Sequence, residues 1–168
     1  QDIEAFSSIL DDERISFVIG GASRQESVYN AVSTIDDAEL IVIHDGARPL
    51  VREEDIENTI RQAKEYSAAA VGVPVKDTIK IIDNDNFVVD TPNRSSLFAV
   101  QTPQIFDFCL YKQIIEKAVE QGRDYTDDCQ LAENSGVKVK MVAGSYTNIK
   151  ITTPDDIPVA ESILNDMR

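Results

Sequence analysis

Residues 40–49 read LIVIHDGARP, an apolar run that leads into a polar loop. The run from Leu40 to His44 predicts a buried strand, because it is short, rich in β-branched residues and bounded by turn residues. The amphipathic stretch from Glu53 to Tyr66 then predicts a helix. A buried strand followed by a helix is the repeating unit of an α/β sheet, so the predicted fold class is α/β.

The same alternation continues along the chain. Further predicted strands are Ile15 to Gly20, Ala68 to Val75, Leu97 to Gln101, Val137 to Val142 and Asn148 to Thr152. Further predicted helices are Gln25 to Thr34, Phe108 to Gln121, Asp127 to Asn134 and Asp155 to Asn165. Thr126 is expected to cap one helix, and Thr153 with Pro154 to open the last. The pattern is typical of a mostly parallel sheet covered by helices.

One stretch departs from this alternation. Thr78 to Asp83 and Phe87 to Thr91 predict two strands joined by the polar turn Asn84, Asp85 and Asn86. A lone two-stranded hairpin is marginally stable in water, so its apolar side chains are expected to pack outside their own ribbon. A second subunit is the simplest partner for them. They are Ile79, Ile81, Phe87 and Val89.

Composition limits the possible functions. The chain has 168 residues, of which 42% are hydrophobic, a size and composition expected of one globular domain. Its formal charge of −14 argues against nucleic acid as a general partner, because it repels a polyphosphate backbone. No apolar run approaches the roughly 20 residues of a membrane span. No membrane contact is therefore expected. The two cysteines lack a metal-ligand spacing, so free thiols in a reducing cytoplasm are expected.

The loop after the predicted strand Leu40 to His44 carries residues suited to phosphate chemistry. Asp45 could hold a divalent cation, Gly46 would admit close approach of a ribose or phosphate, and Arg48 could grip a phosphate bidentately. The carboxyl ends of strands are where open α/β sheets bind ligands. A charged connecting loop that ends at Pro49 explains the same residues, so both interpretations stay open here.

Residues 20–27 read GGASRQES, a glycine turn that leads into a helix. Backbone amides and the Ser27 hydroxyl could recognise a base edge or bind an anion at the helix N-terminus. The stretch lacks the GxGxxG pattern of dinucleotide-binding folds. A plain helix-capping turn explains it equally well.

Several shorter polar segments are scattered along the rest of the chain. Most have a structural explanation as caps, turns or solvated side chains. Lys150 is harder to explain, because it lies between Ile149 and Ile151 and must point either to solvent or into a polar cleft. The segments are Lys76 to Thr78, Arg94, Gln101 to Gln104, Thr126 to Asp128 and Asn148 to Pro154.

Taken together, these motifs resemble the 2-C-methyl-D-erythritol 4-phosphate cytidylyltransferase family from Gly20 to the C-terminus. In order they read GGASRQESVYNAV, IVIHDGARPLV, VPVKDTIK, NR, QTPQIF, YTDDCQLAE and TNIKITTPDDI. The resemblance implies a Rossmann-like nucleotidyltransferase sheet with a protruding β-hairpin arm. It also implies a homodimer, in which the arm, residues 75–95, embraces the partner.

The resemblance further implies roles for individual residues. The acceptor phosphate would attack the α-phosphorus of CTP and pyrophosphate would leave, with Mg²⁺ bridging the triphosphate and Asp45 near the metal. Arg94 and Lys150 would orient the attacking phosphate. Arg48 and Thr78 would reach the methylerythritol phosphate bound by the neighbouring subunit. The remaining carried-over residues are Gly21, Ala22, Ser27, Asp45 and Gly46 for CTP, and Thr102 and Thr126 for the acceptor.

Members of this family begin with a strand, a glycine-rich loop that carries an arginine, and a Pro-Lys-Gln segment. None of these precedes Gln1. The expectation is therefore a single domain over residues 1–168 that lacks its N-terminal nucleotide-binding unit. Three alternatives are a ribitol 5-phosphate cytidylyltransferase, a non-catalytic nucleotide-binding or dimerisation module, and a dinucleotide-dependent oxidoreductase. The last lacks its glycine fingerprint here.

Overall fold

The computed structural model describes residues 2–10 and 12–167, which group into two compact units. The first unit comprises the described parts of Gln1–Glu39 and Phe108–Gly136, and the second comprises those of Leu40–Asp107 and Val137–Arg168. The prediction of a single domain stays a prediction. The helices are α1 Asp2–Ser7, α2 Arg24–Val32, α3 Glu53–Tyr66, α4 Phe108–Glu120, α5 Asp128–Asn134 and α6 Asp156–Asp166. The strands are β1 Leu40–Ile43, β2 Ala68–Pro74, β3 Ile81–Ile82, β4 Val88–Asp90, β5 Phe98–Asp107 and β6 Lys140–Ala143, with a 3-10 turn at Arg94–Ser96.

The second unit contains a four-stranded sheet in the order β1-β5-β2-β6. β5 runs antiparallel to both β1 and β2, whereas β2 and β6 are parallel. Three strands therefore share one direction, and β5 lies between two of them in the opposite direction. The expectation of a mostly parallel sheet is correct for these three strands and wrong for β5. The α/β class itself is confirmed.

Small side chains allow α3 to lie close against this sheet. Residues 68–70 of β2 are three fully buried alanines, and Ala63 of α3 is almost fully buried as well. Ala63, Ala69 and Ile105 form a buried cluster, against which further apolar side chains pack. Burial of this apolar surface is the main force that holds a helix on a sheet. Both α3 and β2 were predicted almost to the residue.

β5 is longer than predicted because a bulge accommodates its proline. Ala70 pairs with Gln104 and Gly72 pairs with Val100, so residues 101–103 fall in the register shift between them. Proline is tolerated in strands mainly at edges and bulges, since it cannot donate to the ladder. The segment predicted to leave the strand at Gln101 therefore stays in the sheet, and its side chains lie beyond the end of β1.

Two predicted strands are absent from the described residues. Asn148 to Thr152 forms no ladder, because the Ile151 N–H donates to the Ala47 carbonyl at 2.8 Å and so bonds a turn instead of a strand. Ile15 to Gly20 is irregular, and its alternate side chains Ile15, Phe17 and Ile19 are exposed. A strand requires a paired neighbour, and no described strand pairs with this segment.

The predicted hairpin is present with shorter strands. β3 pairs antiparallel with β4, and the Asp83 carboxylate accepts hydrogen bonds from the N–H groups of Asp85 and Phe87 in the turn. Asn86 has a φ of 65°, a left-handed conformation that asparagine tolerates better than most residues. The apolar side chains of the hairpin are largely exposed. The hairpin itself is confirmed, and its role as a dimerisation arm stays a prediction.

The first unit is organised around a buried carboxylate. Asp128 accepts a hydrogen bond from the Tyr111 hydroxyl at 2.5 Å and pairs with Arg24 at 2.6 Å. These contacts join α2, α4 and α5. Burial, and then the neighbouring Asp128 charge, raises the pKa of Tyr111, so its hydroxyl stays protonated and donates. Within the described residues, no helix is both long and apolar enough to cross a bilayer.

Two helix starts differ from the prediction. Asp127, and not Thr126, caps α5, because its carboxylate accepts the Gln130 N–H at 2.8 Å. Helix α6 begins at Asp156, one residue after the predicted Asp155. The Asp156 carboxylate accepts hydrogen bonds from the N–H groups of Thr152 and Thr153, and these bonds lower the pKa of Asp156. Helix α1 was not predicted at all.

Candidate functional site

The candidate site begins at the carboxyl end of β1. Residues Asp45 to Arg48 form a turn, closed by a hydrogen bond from the Arg48 N–H to the Asp45 carbonyl at 2.9 Å. The Asp45 N–H donates to Thr102 Oγ1 at 3.0 Å. Thr102 lies in the bulge of β5, so the bulge positions the turn. The sequence predicted both Asp45 and Thr102 as site residues, and the structure brings them into direct contact.

A histidine that the sequence analysis did not single out braces the same turn. His44 Nε2 lies 3.0 Å from the Arg48 carbonyl oxygen, and His44 Nδ1 lies 3.0 Å from Thr102 Oγ1. A carbonyl oxygen can only accept, so Nε2 donates to the Arg48 carbonyl, and in the corresponding tautomer Nδ1 accepts from the Thr102 hydroxyl. The signal was its place in the HDGARP motif, as the one histidine of the chain.

Two cationic side chains converge on Asp45. Lys150 Nζ lies 3.0 Å from Asp45 Oδ2, and Arg48 Nε lies 3.5 Å from the same oxygen. Arg48 Nε and Asp45 Oδ2 therefore form an ion pair but not a hydrogen bond. Arg48 Nη1 donates to the Asn148 carbonyl at 2.8 Å. We call Asp45, Arg48 and Lys150 the charge cluster. Its local excess of positive charge, in a strongly acidic chain, suits an anionic ligand such as a phosphate.

The charge cluster is partly shielded from water. The side chains of Asp45 and Arg48 are 17% and 13% exposed, whereas that of Lys150 is 44% exposed. Lys150 can therefore move to an incoming ligand, and Arg48 is held more firmly. A partly buried cation interacts more strongly with a phosphate than a solvated one, because water screens it less.

Asp45 is suited to a hard cation with few protein ligands. The described residues contain no cluster of three or more His, Cys, Asp or Glu side chains that could hold a metal by themselves. Mg²⁺ commonly binds through one or two carboxylates together with substrate phosphates and water, so Asp45 fits that pattern. Because Lys150 pairs with Asp45, a bound cation would have to share or displace that contact.

Gly46 lies beside open space. A methyl group placed on it would meet no other atom within 4 Å. The packing of the described residues therefore does not require glycine at this position. The open space leaves room for a ligand to approach the turn, and the ribose contact stays a prediction.

Arg94 and Thr78 lie at the root of the hairpin. Arg94 Nη1 donates to the Lys76 carbonyl at 2.6 Å, and Lys76 Nζ lies 3.6 Å above the Tyr146 ring. Both Arg94 and Thr78 are exposed. No described hydrogen bond or ion pair joins them to the charge cluster. Both predicted residues thus lie on the exposed root of the hairpin, in the second unit.

The glycine turn of the first unit is bonded within itself. Ser23 caps α2 by accepting the Glu26 N–H at 3.1 Å, and the Glu26 carboxylate accepts the Ala22 N–H at 2.6 Å. Ser27 Oγ accepts the Gly21 N–H and donates to the Ser23 carbonyl, both at 2.9 Å. The turn therefore caps α2, and a base bound here would compete with these bonds. A side chain at Gly21 would collide with Glu26.

Thr126 is exposed at the start of α5. Its N–H and hydroxyl both donate to Gln130 Oε1, at 3.0 and 3.2 Å. Both groups can exchange this side-chain partner for a ligand at small cost, since the contact is exposed. Thr126 belongs to the first unit, together with Gly21, Ala22 and Ser27.

Comparison with known proteins settles the family. The family model described as 2-C-methyl-D-erythritol 4-phosphate cytidylyltransferase, IspD, matches residues 1–166. The chain belongs to this family.

Named relatives and solved structures agree. The cytidylyltransferase of Caldanaerobacter subterraneus subsp. tengcongensis is 57% identical over 148 residues, which are 88% of this chain and 65% of the relative. That of Desulforamulus reducens is 49% identical over 156 residues, 92% of this chain and 67% of the relative. The chain thus spans about two thirds of these two relatives.

The fold agrees with that of solved cytidylyltransferases. The 4-diphosphocytidyl-2C-methyl-D-erythritol synthase of Anaerococcus prevotii superposes with a TM-score of 0.87 at 38% identity, over 98% of this chain and 73% of that one. The enzyme of Thermus thermophilus gives 0.79 at 30% identity, over 92% and 76%. The predicted nucleotidyltransferase fold is therefore confirmed.

Two buried polar residues of this cytidylyltransferase fold contact Thr102 or its neighbours and were not predicted. Gln101 Nε2 donates to the Ser145 carbonyl at 3.1 Å, and Asn148 Nδ2 donates to the Thr102 carbonyl at 2.9 Å. Both belong to the motifs QTPQIF and TNIKITTPDDI, for which the resemblance implied no role for these two residues. Their signal was a polar side chain inside an apolar segment, which in a folded core requires a hydrogen-bond partner.

Proposed function

We propose that the protein transfers a cytidylyl group from CTP to 2-C-methyl-D-erythritol 4-phosphate and releases pyrophosphate. The observation that carries the proposal is the convergence of Lys150 and Arg48 on Asp45 at the carboxyl end of β1. Membership of the cytidylyltransferase family supports the reaction class. The product would be 4-diphosphocytidyl-2-C-methyl-D-erythritol, an intermediate of the non-mevalonate isoprenoid pathway.

The reaction is a direct displacement at phosphorus. An oxygen of the acceptor phosphate forms a bond to the α-phosphorus of CTP, while the bond to the pyrophosphate oxygen breaks. Both reactants are anions, so cationic side chains that offset their repulsion lower the barrier. In this proposal, Lys150 and Arg94 orient the attacking phosphate.

The ion pair between Lys150 and Asp45 represents a resting arrangement that ligands can rearrange. An arriving phosphate would compete with Asp45 for Lys150, and Lys150 is exposed enough to respond. A bound Mg²⁺ would supply charge neutralisation at the triphosphate, and Asp45 is the residue that would hold it. Asp45 and Lys150 would then separate onto two different partners.

The remaining residues are proposed to recognise the two substrates. Gly21, Ala22 and Ser27 would line the cytosine pocket, with Gly46 near the ribose. Thr102 and Thr126 would contact the acceptor. Each lies in a turn, a bulge or a helix start, where backbone and hydroxyl groups can bind polar ligands.

We further propose that the hairpin mediates a homodimer, with Arg48 and Thr78 reaching the partner's substrate. The exposed apolar side chains of β3 and β4 support this, because contiguous exposed apolar surface marks interaction sites. Replacing Val89 with lysine is expected to convert a dimer into a monomer in sedimentation analysis. Lys80→Ala is the matched control, since Lys80 lies on the same hairpin and its amine makes an exposed hydrogen bond with Thr91.

Pyrophosphate release by the intact protein tests the function. CTP and Mg²⁺ are supplied with methylerythritol phosphate in one sample and with ribitol 5-phosphate in another. Release with the first acceptor alone supports the proposal, and release with the second alone replaces the acceptor. Absence of release with both, in a protein that still binds CTP, would favour a non-catalytic nucleotide-binding module. The cytoplasmic location stays a prediction.

A further inference from the structure

We infer that Asn148 is a positioning residue for the proposed reaction, with a buried amide that holds the loop after β6 so that Lys150 faces Asp45. The inference rests on the proposed function and adds a residue to which no role in it has been assigned. It concerns the loop from Gly144 to Ile151, here called the lysine loop. Asn148 would act through Lys150 and would not touch either substrate.

The contacts of Asn148 join three parts of the second unit. Its side chain is fully buried. Nδ2 donates to the Thr102 carbonyl at 2.9 Å and to Gln101 Oε1 at 3.3 Å, which ties the lysine loop to the bulge of β5. Its own carbonyl accepts Nη1 of Arg48 at 2.8 Å. One residue therefore touches both the bulge and the charge cluster.

Lys150 depends on such anchors because it does not lie in a strand. Its long side chain is partly exposed and has considerable rotational freedom, so its direction follows from where the backbone is fixed. Asn148 fixes the backbone two residues before it. The Ile151 N–H fixes it one residue after, through the Ala47 carbonyl at 2.8 Å. The lysine is thus held between two anchored positions.

Thr102 connects the two members of the ion pair. Its hydroxyl accepts the Asp45 N–H at 3.0 Å, and its carbonyl accepts Asn148 Nδ2 at 2.9 Å. The bulge residue therefore holds Asp45 directly and Lys150 through Asn148. Loss of the Asn148 amide would remove the contact between Thr102 and the lysine loop. The hydrogen bond from the Asp45 N–H to the Thr102 hydroxyl would remain.

Stability alone does not explain an asparagine here. Asn148 Oδ1 is buried and has no hydrogen-bond partner among the described residues. A buried acceptor without a partner lowers stability, so a residue chosen only for packing would avoid it. The donors on Nδ2 are the part of the side chain that the neighbouring groups use. The side chain therefore serves to position the loop.

The first test is a spectroscopic one that needs no turnover. Lysines are reductively methylated with ¹³C-formaldehyde, and the Lys150 signal is assigned by its loss in Lys150→Arg. In Asn148→Ala the signal is expected to move to the position that it has in Asp45→Asn, because the ion pair opens. An unchanged Lys150 signal in Asn148→Ala would overturn the inference.

A matched control separates positioning from general loosening of the fold. Thr59→Ala removes another fully buried polar side chain of the same unit, one whose hydroxyl, among the described residues, donates to the Asp55 carbonyl within α3. Its Lys150 signal is expected to stay at the wild-type position. If Asn148→Ala does not fold, Asn148→Ser takes its place, because serine keeps one donor and is expected to give an intermediate shift. A Lys150 signal in Asn148→Ser identical to that of wild type would then count against the inference.

Kinetics then link the loop to the reaction. Asn148→Ala is expected to lower kcat about 10- to 100-fold, the cost of a misplaced group near the reacting atoms, with the KM for CTP within about twofold. In a Lys150→Ala background the same substitution should have almost no further effect. Equal losses in both backgrounds would show a general structural role. Absence of pyrophosphate release by the wild-type protein would reject the proposed function, while the Lys150 signal would still decide the role of Asn148.

Discussion

Lys150 Nζ lies 3.0 Å from Asp45 Oδ2, although the two residues come from distant parts of the chain. Asp45 is fixed by the bulge of β5, and Lys150 by the lysine loop. The pair therefore reports on whether the two segments meet correctly. In the proposed reaction, a phosphate would pair with Lys150 and a metal ion would bind Asp45.

Lys150→Ala should slow turnover far more than it weakens folding. The lysine is partly exposed, and exposed ion pairs stabilise proteins by less than about 1 kcal/mol. Loss of a cation that offsets charge in the transition state typically costs about 100-fold or more in kcat. The measurements are kcat from pyrophosphate release and the free energy of unfolding from urea titration.

Lys138→Ala is the control for this substitution, since Lys138 is an exposed lysine elsewhere on the second unit. It should change neither quantity. If Lys150→Ala keeps the wild-type kcat, Lys150 has no part in the mechanism.

Asp45→Asn should raise the Mg²⁺ concentration needed for half-maximal rate. An amide is a weaker ligand for Mg²⁺ than a carboxylate, so the shift is expected to be at least about 10-fold. Rates are measured over a Mg²⁺ titration at saturating CTP. A lower kcat with an unchanged Mg²⁺ midpoint would mean that Asp45 acts only as the partner of Lys150.

Substitutions around Asp128 should lower stability in a definite order. Tyr111→Phe removes one hydrogen bond and should cost about 1 kcal/mol, whereas Asp128→Ala removes the buried carboxylate from both partners and should cost about 3 kcal/mol. Arg24 is 36% exposed, so water relieves part of its loss. Circular dichroism in urea measures both values. Equal costs would show that the contact with Arg24 contributes little.

Asp55→Asn should stabilise the protein at neutral pH, by up to about 1 kcal/mol. Asp55 is buried at the start of α3, and this burial raises the pKa of its carboxyl group, while Arg52 and a hydrogen bond from the Ser145 backbone oppose the rise. Its Oδ2 has no hydrogen-bond partner among the described residues. An amide would keep the acceptor and remove the buried charge.

The pH dependence of this effect has a defined sign. Because the pKa of Asp55 is higher in the folded than in the unfolded protein, the folded state binds its proton more tightly. The stability of the wild-type protein therefore falls as pH rises from the unfolded-state pKa of Asp55 to its higher folded-state pKa. Over the same pH range, the stability advantage of Asp55→Asn grows. Urea unfolding from about pH 4 to pH 7 measures it. An advantage that shrinks as pH rises would contradict the assigned pKa direction.

The sequence predicted those elements whose periodicity matches their burial. Helix α3 has the predicted bounds Glu53–Tyr66, because its apolar positions recur at helical spacing. The predicted strand Asn148 to Thr152 was wrong for the opposite reason. Its residues alternate in the manner of a strand, while its backbone bonds the turn at Ala47. Periodicity records which faces are apolar and cannot record where a backbone donor finds its acceptor.

The candidate site was predictable in part. The family resemblance implied four site residues that the structure brings together. They are Asp45, Arg48, Thr102 and Lys150. The resemblance also implied Arg94, whose Nη1 donates to the Lys76 carbonyl at the hairpin root. Asn148 was not predicted, because the sequence does not show whether an asparagine side chain is buried or solvated. Only the fold shows that its amide is enclosed.

The pairing of Pro74 with Phe98 makes the hairpin removable in principle. β2 and β5 are neighbouring antiparallel strands, and the Val75 N–H already bonds the Leu97 carbonyl at 3.2 Å, so a tight turn could join them directly. Everything between these residues is an excursion that leaves the sheet and returns to the same place. Such an excursion can lengthen, shorten or be exchanged during evolution without altering the register of the sheet. The register that places Thr102 beside Asp45 can therefore stay constant while the segment that carries Thr78 and Arg94 diverges.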